Sequence, residues 1–171
     1  TTAFGAMLLA GCQPPVEMMP PPTLFVNGEQ NLVGANANLD RSNEIKVFYA
    51  TNRMPVGPVG TYTIFPDDNL HMGVASLSIG GGNRSWDWLY SLSSGNTEEA
   101  PPQNLLDAID RQAPVRVGTP VDRLGDEALA FFGSIDAALA TAADKDLTIY
   151  VHGANTSVGR ATGQAAQYRH F

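Results

Sequence analysis

The chain has 171 residues, enough for one domain with a sizeable core, and its 43% hydrophobic content is ordinary for a globular protein. A formal net charge of -7 without any stripe of Lys or Arg excludes the phosphate-neutralising surface that a nucleic-acid partner needs, so the acidic balance reads as a solubility feature. No segment holds the roughly 20 apolar residues of a membrane-spanning helix.

The first element is a targeting signal. "AFGAMLLAGCQPP" is a short apolar run leading into Leu9-Ala10-Gly11-Cys12. It has the length of a signal-peptide apolar core, about 7–15 residues, and resembles the lipobox of bacterial lipoproteins, whose Cys becomes lipidated and heads the mature chain. The chain begins Thr1-Thr2 without the charged start of such signals, so residues 1–12 read as a truncated signal ending at the lipidation site, Cys12. Cys12 is the only cysteine and permits no internal disulfide. The competing reading is a short buried helix with an incidental Cys. Gln13 stands where lipoproteins of Gram-negative cells commonly carry an Asp for inner-membrane retention, so the expected location is the cell envelope, anchored by lipid, with the outer membrane favoured.

Residues 13–43 read as a tether. "QPPVEMMPPPT" holds five of the twelve prolines and favours an extended polyproline II spacer. "NGEQNLVGANANLDRSN" is Asn/Gly-rich and aperiodic, the pattern of a loop.

Globular patterning runs over 44–171. "EIKVFYATNR" predicts a strand. Pro55, Gly57, Pro58 and Gly60 then break the chain, "TYTIF" predicts a short second strand and "HMGVASLSI" another, ended by Gly80-Gly81-Gly82. Asp67-Asp68 in "FPDDN" is a turn signal between them. Residues 83–121 read as irregular, with Trp86, Trp88 and Tyr90 close together and one short helix at "NLLDAIDRQ".

A long helix is expected over 122–143, where Leu124, Ala128, Phe131, Phe132, Ile135, Leu139 and Ala142 recur at three- and four-residue steps, with Asp122 as candidate N-cap. Asp144-Lys145-Asp146 ends it. "LTIYV" then reads as a fully buried strand, continuous in apolar and β-branched residues as in parallel sheets. After a loop, "SVGRATGQAAQYRHF" is helical from about Ser157. Helix, buried strand, loop, helix is the order of an α/β sheet, in which ligands bind beyond the carboxyl ends of the strands. His152 to Thr156 stand at that edge.

"VFYATNR", a long helix before a strand, and "YVHGANTS" together resemble a bacterial family of α/β-hydrolases in the esterase/lipase group, often exported or lipid-anchored. The resemblance covers roughly residues 44–168. Its specificity comes from the pairing of Tyr49-Ala50-Thr51-Asn52-Arg53 with Tyr150-Val151-His152-Gly153-Ala154-Asn155, since either stretch alone is weak. It implies the N-terminal half of an α/β-hydrolase sheet, incomplete at the C-terminus, in which the His-Gly turn after the third core strand forms part of an oxyanion hole. It also implies a small-molecule ester or acyl substrate, a membrane contact through the lipid anchor, and no cofactor or metal. The Ala154 N–H is then the oxyanion donor, supported by His152, Gly153 and Asn155. The family usually carries an aromatic residue at the position of Ala154.

The chemistry suits these residue types. An acyl-transfer intermediate needs donors aimed at the developing oxyanion, and a backbone N–H is the stiffest available. Gly153 is expected to let the chain turn sharply without a Cβ clash. His152 has the alternative of a satisfied strand-end histidine, and Thr156-Ser157 is read as helix capping. Ser157 is no elbow nucleophile, because Asn155 occupies the place of the first Gly in G-x-S-x-G. That motif occurs nowhere in the chain. In the family the nucleophile, acid and base His all follow this region, so the piece alone is expected to be inactive.

Other constellations are weak. "GGGNRS" lacks the Lys of a phosphate loop and reads as a flexible turn. Trp86, Trp88 and Tyr90 read as core or lid packing before sugar or lipid stacking. His71, His152 and His170 have no metal-ligand spacing. Asn52-Arg53 are candidates for anchoring the end of the first strand. The alternative function is a non-catalytic cell-envelope lipoprotein serving as a binding or scaffold module.

Overall fold

The computed structural model describes residues 44–93, 105–142, 145–153 and 156–170, together with Val16. Cys12, Ala154 and Asn155 lie outside the described residues, as do the signal and tether apart from Val16. A Cβ built on Gly163 would sit 3.2 Å from Cγ2 of Val16, so this one tether residue rests against the last helix.

The architecture mixes helices with an antiparallel sheet. β1 (Glu44–Pro55), β2 (Tyr62–Ser78) and β3 (Leu105–Arg116) form the sheet in the order β1-β2-β3. Helices α1 (Trp86–Ser93), α2 (Asp126–Thr141) and α3 (Val158–His170) surround it. Alternation along the strands sends side chains to two faces. Ile45, Tyr49, Ala75 and Leu77 bury one face with Leu89 and Leu92 of α1 and Val158 and Ala166 of α3. Met72 and Ala113 bury the other with Ala128 and Phe131 of α2, while Phe48 meets Phe131 edge-to-face at 5.8 Å. Each fully buried aliphatic side chain contributes about 1.5–3 kcal/mol.

One close approach fixes β2 against its neighbours. Gly73 pairs with Tyr49 in β1. The Tyr49 hydroxyl reaches past it to donate to the Asp110 carbonyl at 3.1 Å. A Cβ at Gly73 would collide with that carbonyl and lie 2.7 Å from the Tyr49 hydroxyl. Only glycine fits.

The helices are closed by identifiable groups. Ser85 Oγ accepts from the Trp88 N–H at 3.2 Å and caps α1. Ser157 Oγ accepts from the Arg160 N–H at 3.2 Å and caps α3, as its sequence position implies. Lys145 Nζ donates to the carbonyls of Leu139, Ala140 and Ala142 at 2.8–2.9 Å, a cation on the carbonyl end of α2.

Several expectations are corrected. "TYTIF" and "HMGVASLSI" are one 17-residue strand, because the Asp-Asp turn signal is absorbed as a bulge. Thr51 and Arg53 are two positions apart in β1, while their partners His71 and Pro66 are five positions apart in β2. "NLLDAIDRQ" is strand β3 where a helix was expected: β2 presents an open edge, and its ladder outweighs the weak helical signal. The described parts of 83–121 thus hold α1 and β3. Asp122 does not cap the long helix. It lies in a short 3-10 turn at Val121–Arg123, and the N-cap is Gly125, with Asp126 and Glu127 in the first turn facing the helix dipole. The Gly80-Gly81-Gly82 turn stands as expected, all three residues at positive φ.

The largest correction concerns "LTIYV". Residues 145–153 belong to none of the strands and lie outside the antiparallel ladder. Leu147, Ile149 and Val151 are 61%, 78% and 84% exposed. The run is apolar because of its composition, but among the described residues no strand lies beside it to bury it. The parallel sheet inferred from its hydrophobicity is therefore not present there.

Candidate functional site

The site is built where the end of β1 meets the segment running into α3. Tyr150 turns inward from this segment, between exposed Ile149 and Val151. Its hydroxyl donates to Gln164 Oε1 at 3.1 Å, and its ring lies 5.3 Å from that of Tyr168. Both partners belong to α3, so the segment before the loop is pinned to the helix after it.

The other anchor comes from β1. Arg53 Nη1 donates to the Thr156 carbonyl at 2.6 Å. Arg53 is itself set by a local turn, its N–H reaching Thr51 Oγ1 at 3.3 Å. Thr51 is buried and pairs across the ladder with His71. Arg53 therefore ties the end of β1 to the backbone directly ahead of α3.

Within the loop, the His152 Nδ1–H donates to the Gly153 carbonyl at 2.7 Å, and the ring is half-buried. Gly153 departs from expectation. Its φ is not positive, and no described atom lies within 4 Å of where a Cβ would sit. Among the described residues nothing gives a steric reason for glycine at this position. Ala154 and Asn155, the expected donor and its support, are outside the described residues.

A second polar cluster lies under the fold-back of the β1–β2 hairpin. His71 is 5% exposed, and its Nε2–H donates to Asp67 Oδ2 at 2.7 Å. Asp67 also accepts from the Asn69 backbone N–H and side-chain amide, at 3.3 and 3.4 Å. The hydrogen bond from His71 is the main cause that holds the Asp67 carboxyl below its ordinary range; partial desolvation opposes it and backbone N–H groups of Asn69 and Asp68 assist. His71 Nδ1 is buried without a hydrogen-bond partner. The Tyr62 ring lies 5.9 Å from the imidazole, and the Tyr62 and Tyr49 hydroxyls are 3.1 Å apart.

The sequence placed Asp67 in a turn and gave His71 no role. Its four-residue offset from Asp67 was the available signal, but in a regular strand that offset puts the two residues about 13 Å apart. Only the bulge brings them together. Among the described residues no hydroxyl bonds to His71, and the pair there is an Asp–His clasp.

Elsewhere, Trp88 packs against the core with the Arg84 guanidinium 4.3 Å above its ring. The side chains of Trp86 and Tyr90 are outside the described set. No group of three or more His, Cys, Asp or Glu among the described residues converges on a metal position.

Comparison with protein-family models finds no match, and comparisons with curated proteins and with solved structures find none either.

Proposed function

We propose that this chain is the N-terminal part of a lipid-anchored α/β-hydrolase that cleaves a carboxylic ester or similar acyl bond, with the 152–155 loop forming one wall of its oxyanion hole. The observation that carries this reading is the Arg53–Thr156 hydrogen bond. It ties Arg53, the last residue of the first stretch, to Thr156, the residue directly after the second, across 103 positions of sequence and just ahead of a capped helix.

The nucleophile, the acid and the base are supplied by other parts of the protein, and Cys12 carries the lipid that places the enzyme at the cell envelope.

Because the proposed donor is a backbone N–H, the decisive variant removes that hydrogen. Ala154→Pro in the complete coding sequence does so without adding a charge. Turnover of a simple aryl ester should fall about a hundred- to thousandfold, the usual loss for one oxyanion donor. The Michaelis constant should change far less, since the charge develops only in the transition state. A variant with unaltered circular dichroism and normal turnover rules the loop out of the oxyanion hole. A complete wild-type protein that neither hydrolyses esters nor reacts with a fluorophosphonate overturns the hydrolase reading and favours the scaffold alternative.

A further inference from the structure

We propose that the β1–β2 hairpin is a membrane-contacting flap, whose outer surface inserts shallowly into an uncharged lipid interface. The proposal rests on the hairpin alone and is independent of the reaction above.

β3 pairs with β2 over Asn69–Ser78 only. The remaining part of β2 pairs solely with the end of β1, through Arg53–Pro66 and Pro55–Tyr62. Beyond the bulge, this two-stranded ribbon folds back over the sheet. Gly60 packs on the Ile109 side chain, and the Tyr62 hydroxyl meets that of Tyr49 at 3.1 Å. These contacts fix which side of the ribbon faces inward. The apolar side chains left outside cannot turn in: Ile64 and Phe65 are 71% and 63% exposed, and Met54, Val56 and Val59 are each about half exposed.

The stretch "MPVGPVGTYTIFP", Met54 to Pro66, contains no charged residue. The charges nearest in sequence are Arg53, committed to Thr156, and Asp67 and Asp68 at the base. An uncharged apolar tip above an acidic base fits a neutral interface. It offers no cation to attract anionic headgroups.

The backbone discriminates between lipid and a second protein chain. Strand addition needs a row of free N–H groups on an exposed edge. Here Pro55, Pro58 and Pro66 have none. The Val56 N–H is bonded to the Thr61 carbonyl at 3.0 Å, the Thr61 N–H to the Pro58 carbonyl at 3.1 Å, and the Phe65 N–H to Thr63 Oγ1 at 3.1 Å. Six of the thirteen residues from Met54 to Pro66 thus offer no free N–H, which interrupts any continuous row of donors and makes the tip a poor template for strand addition. Insertion of this kind reaches only the headgroup–acyl boundary.

The test uses the 171-residue chain carrying Cys12→Ala, so that no acyl chain contributes, sedimented with phosphatidylcholine vesicles and with phosphatidylcholine–phosphatidylglycerol vesicles. The chain should partition onto both, with little dependence on salt. Ile64→Ser/Phe65→Ser should lower the partition coefficient about tenfold or more, as should the independent pair Val56→Ser/Val59→Ser. Leu129→Ser on the exposed side of α2 should not. Circular dichroism of each variant should match the parent. The proposal is overturned by absent partitioning of the parent, by undiminished partitioning of both double variants, or by binding confined to the anionic vesicles and abolished by salt. It is equally overturned if the parent self-associates in sedimentation equilibrium, loses this in the double variants, and never binds vesicles.

Discussion

The guanidinium of Arg53, at the end of β1, holds the backbone carbonyl of Thr156 at 2.6 Å. A charged donor on a main-chain acceptor fixes the path of the loop without constraining its side chains. Such a bond contributes more than a neutral one, about 1.5–3 kcal/mol, with the lower end fitting a half-exposed arginine. Arg53→Ala should therefore cost about 1.5 kcal/mol in urea denaturation and speed amide exchange across 150–157 selectively. Arg53→Lys should recover part of the loss. Equal exchange rates in Arg53→Ala and the parent would separate the loop from β1.

Asp67 makes the fold sensitive to acid in a defined direction. Its carboxyl is held below the ordinary value chiefly by the His71 hydrogen bond. A lowered folded-state value means a contribution that is present above the unfolded value, about 3.9, and lost as pH falls through the folded value. Asp67→Asn should be less stable than the parent at neutral pH, and the two should converge below about pH 4. Chemical denaturation at a series of pH values measures this. A difference that stays constant down to the acid limit would mean that the carboxylate charge is not what the clasp uses.

Gly73→Ala is expected to be the most damaging single methyl in the sheet. The added carbon collides with the Asp110 carbonyl and crowds the Tyr49 hydroxyl, so one strand must move or the Tyr49 bond must break. Overpacking of this kind costs about 1–3 kcal/mol, and a backbone collision belongs at the upper end. By contrast, Gly153→Ala, at an open position without positive φ, should change stability by less than about 0.5 kcal/mol. Thermal melts of the two variants side by side decide the matter. Similar losses would mean that the Gly73 contact is not tight.

Cys12→Ala in the full precursor should release the protein from the membrane fraction, since the lipobox resemblance assigns the anchor to that thiol. Fractionation followed by immunodetection reads this directly. Undiminished membrane association in a variant that is also altered at Ile64 and Phe65 would show that neither element provides attachment.

Local patterns were legible where neighbouring residues carry the cause. β1, the glycine turn at 80–82, the body of α2 and the Ser157-capped α3 follow from alternation, turn chemistry, three- and four-residue spacing and a hydroxyl at the cap. Asn52-Arg53 were readable only as candidates for anchoring the end of β1; that Arg53 reaches the Thr156 carbonyl, 103 positions on, was not.

The failures share one origin. β3 carries a weak helical pattern and becomes a strand because β2 offers it an edge. Asp67-Asp68 carries a turn signal and becomes a bulge within β2, where the register with β1 slips between His71 and Pro66. "LTIYV" is apolar throughout, yet burial depends on which strands lie beside it, and its own composition carries no record of them. Sequence by itself determined where strands and helices are cheap to form and which side chains are able to serve a loop. Tertiary structure alone decided which edges pair, because a ladder of hydrogen bonds between strands outweighs the fractions of a kcal/mol by which one residue prefers helix or sheet. It alone also brought His71 against Asp67, by inserting the bulge that shortens the distance between them.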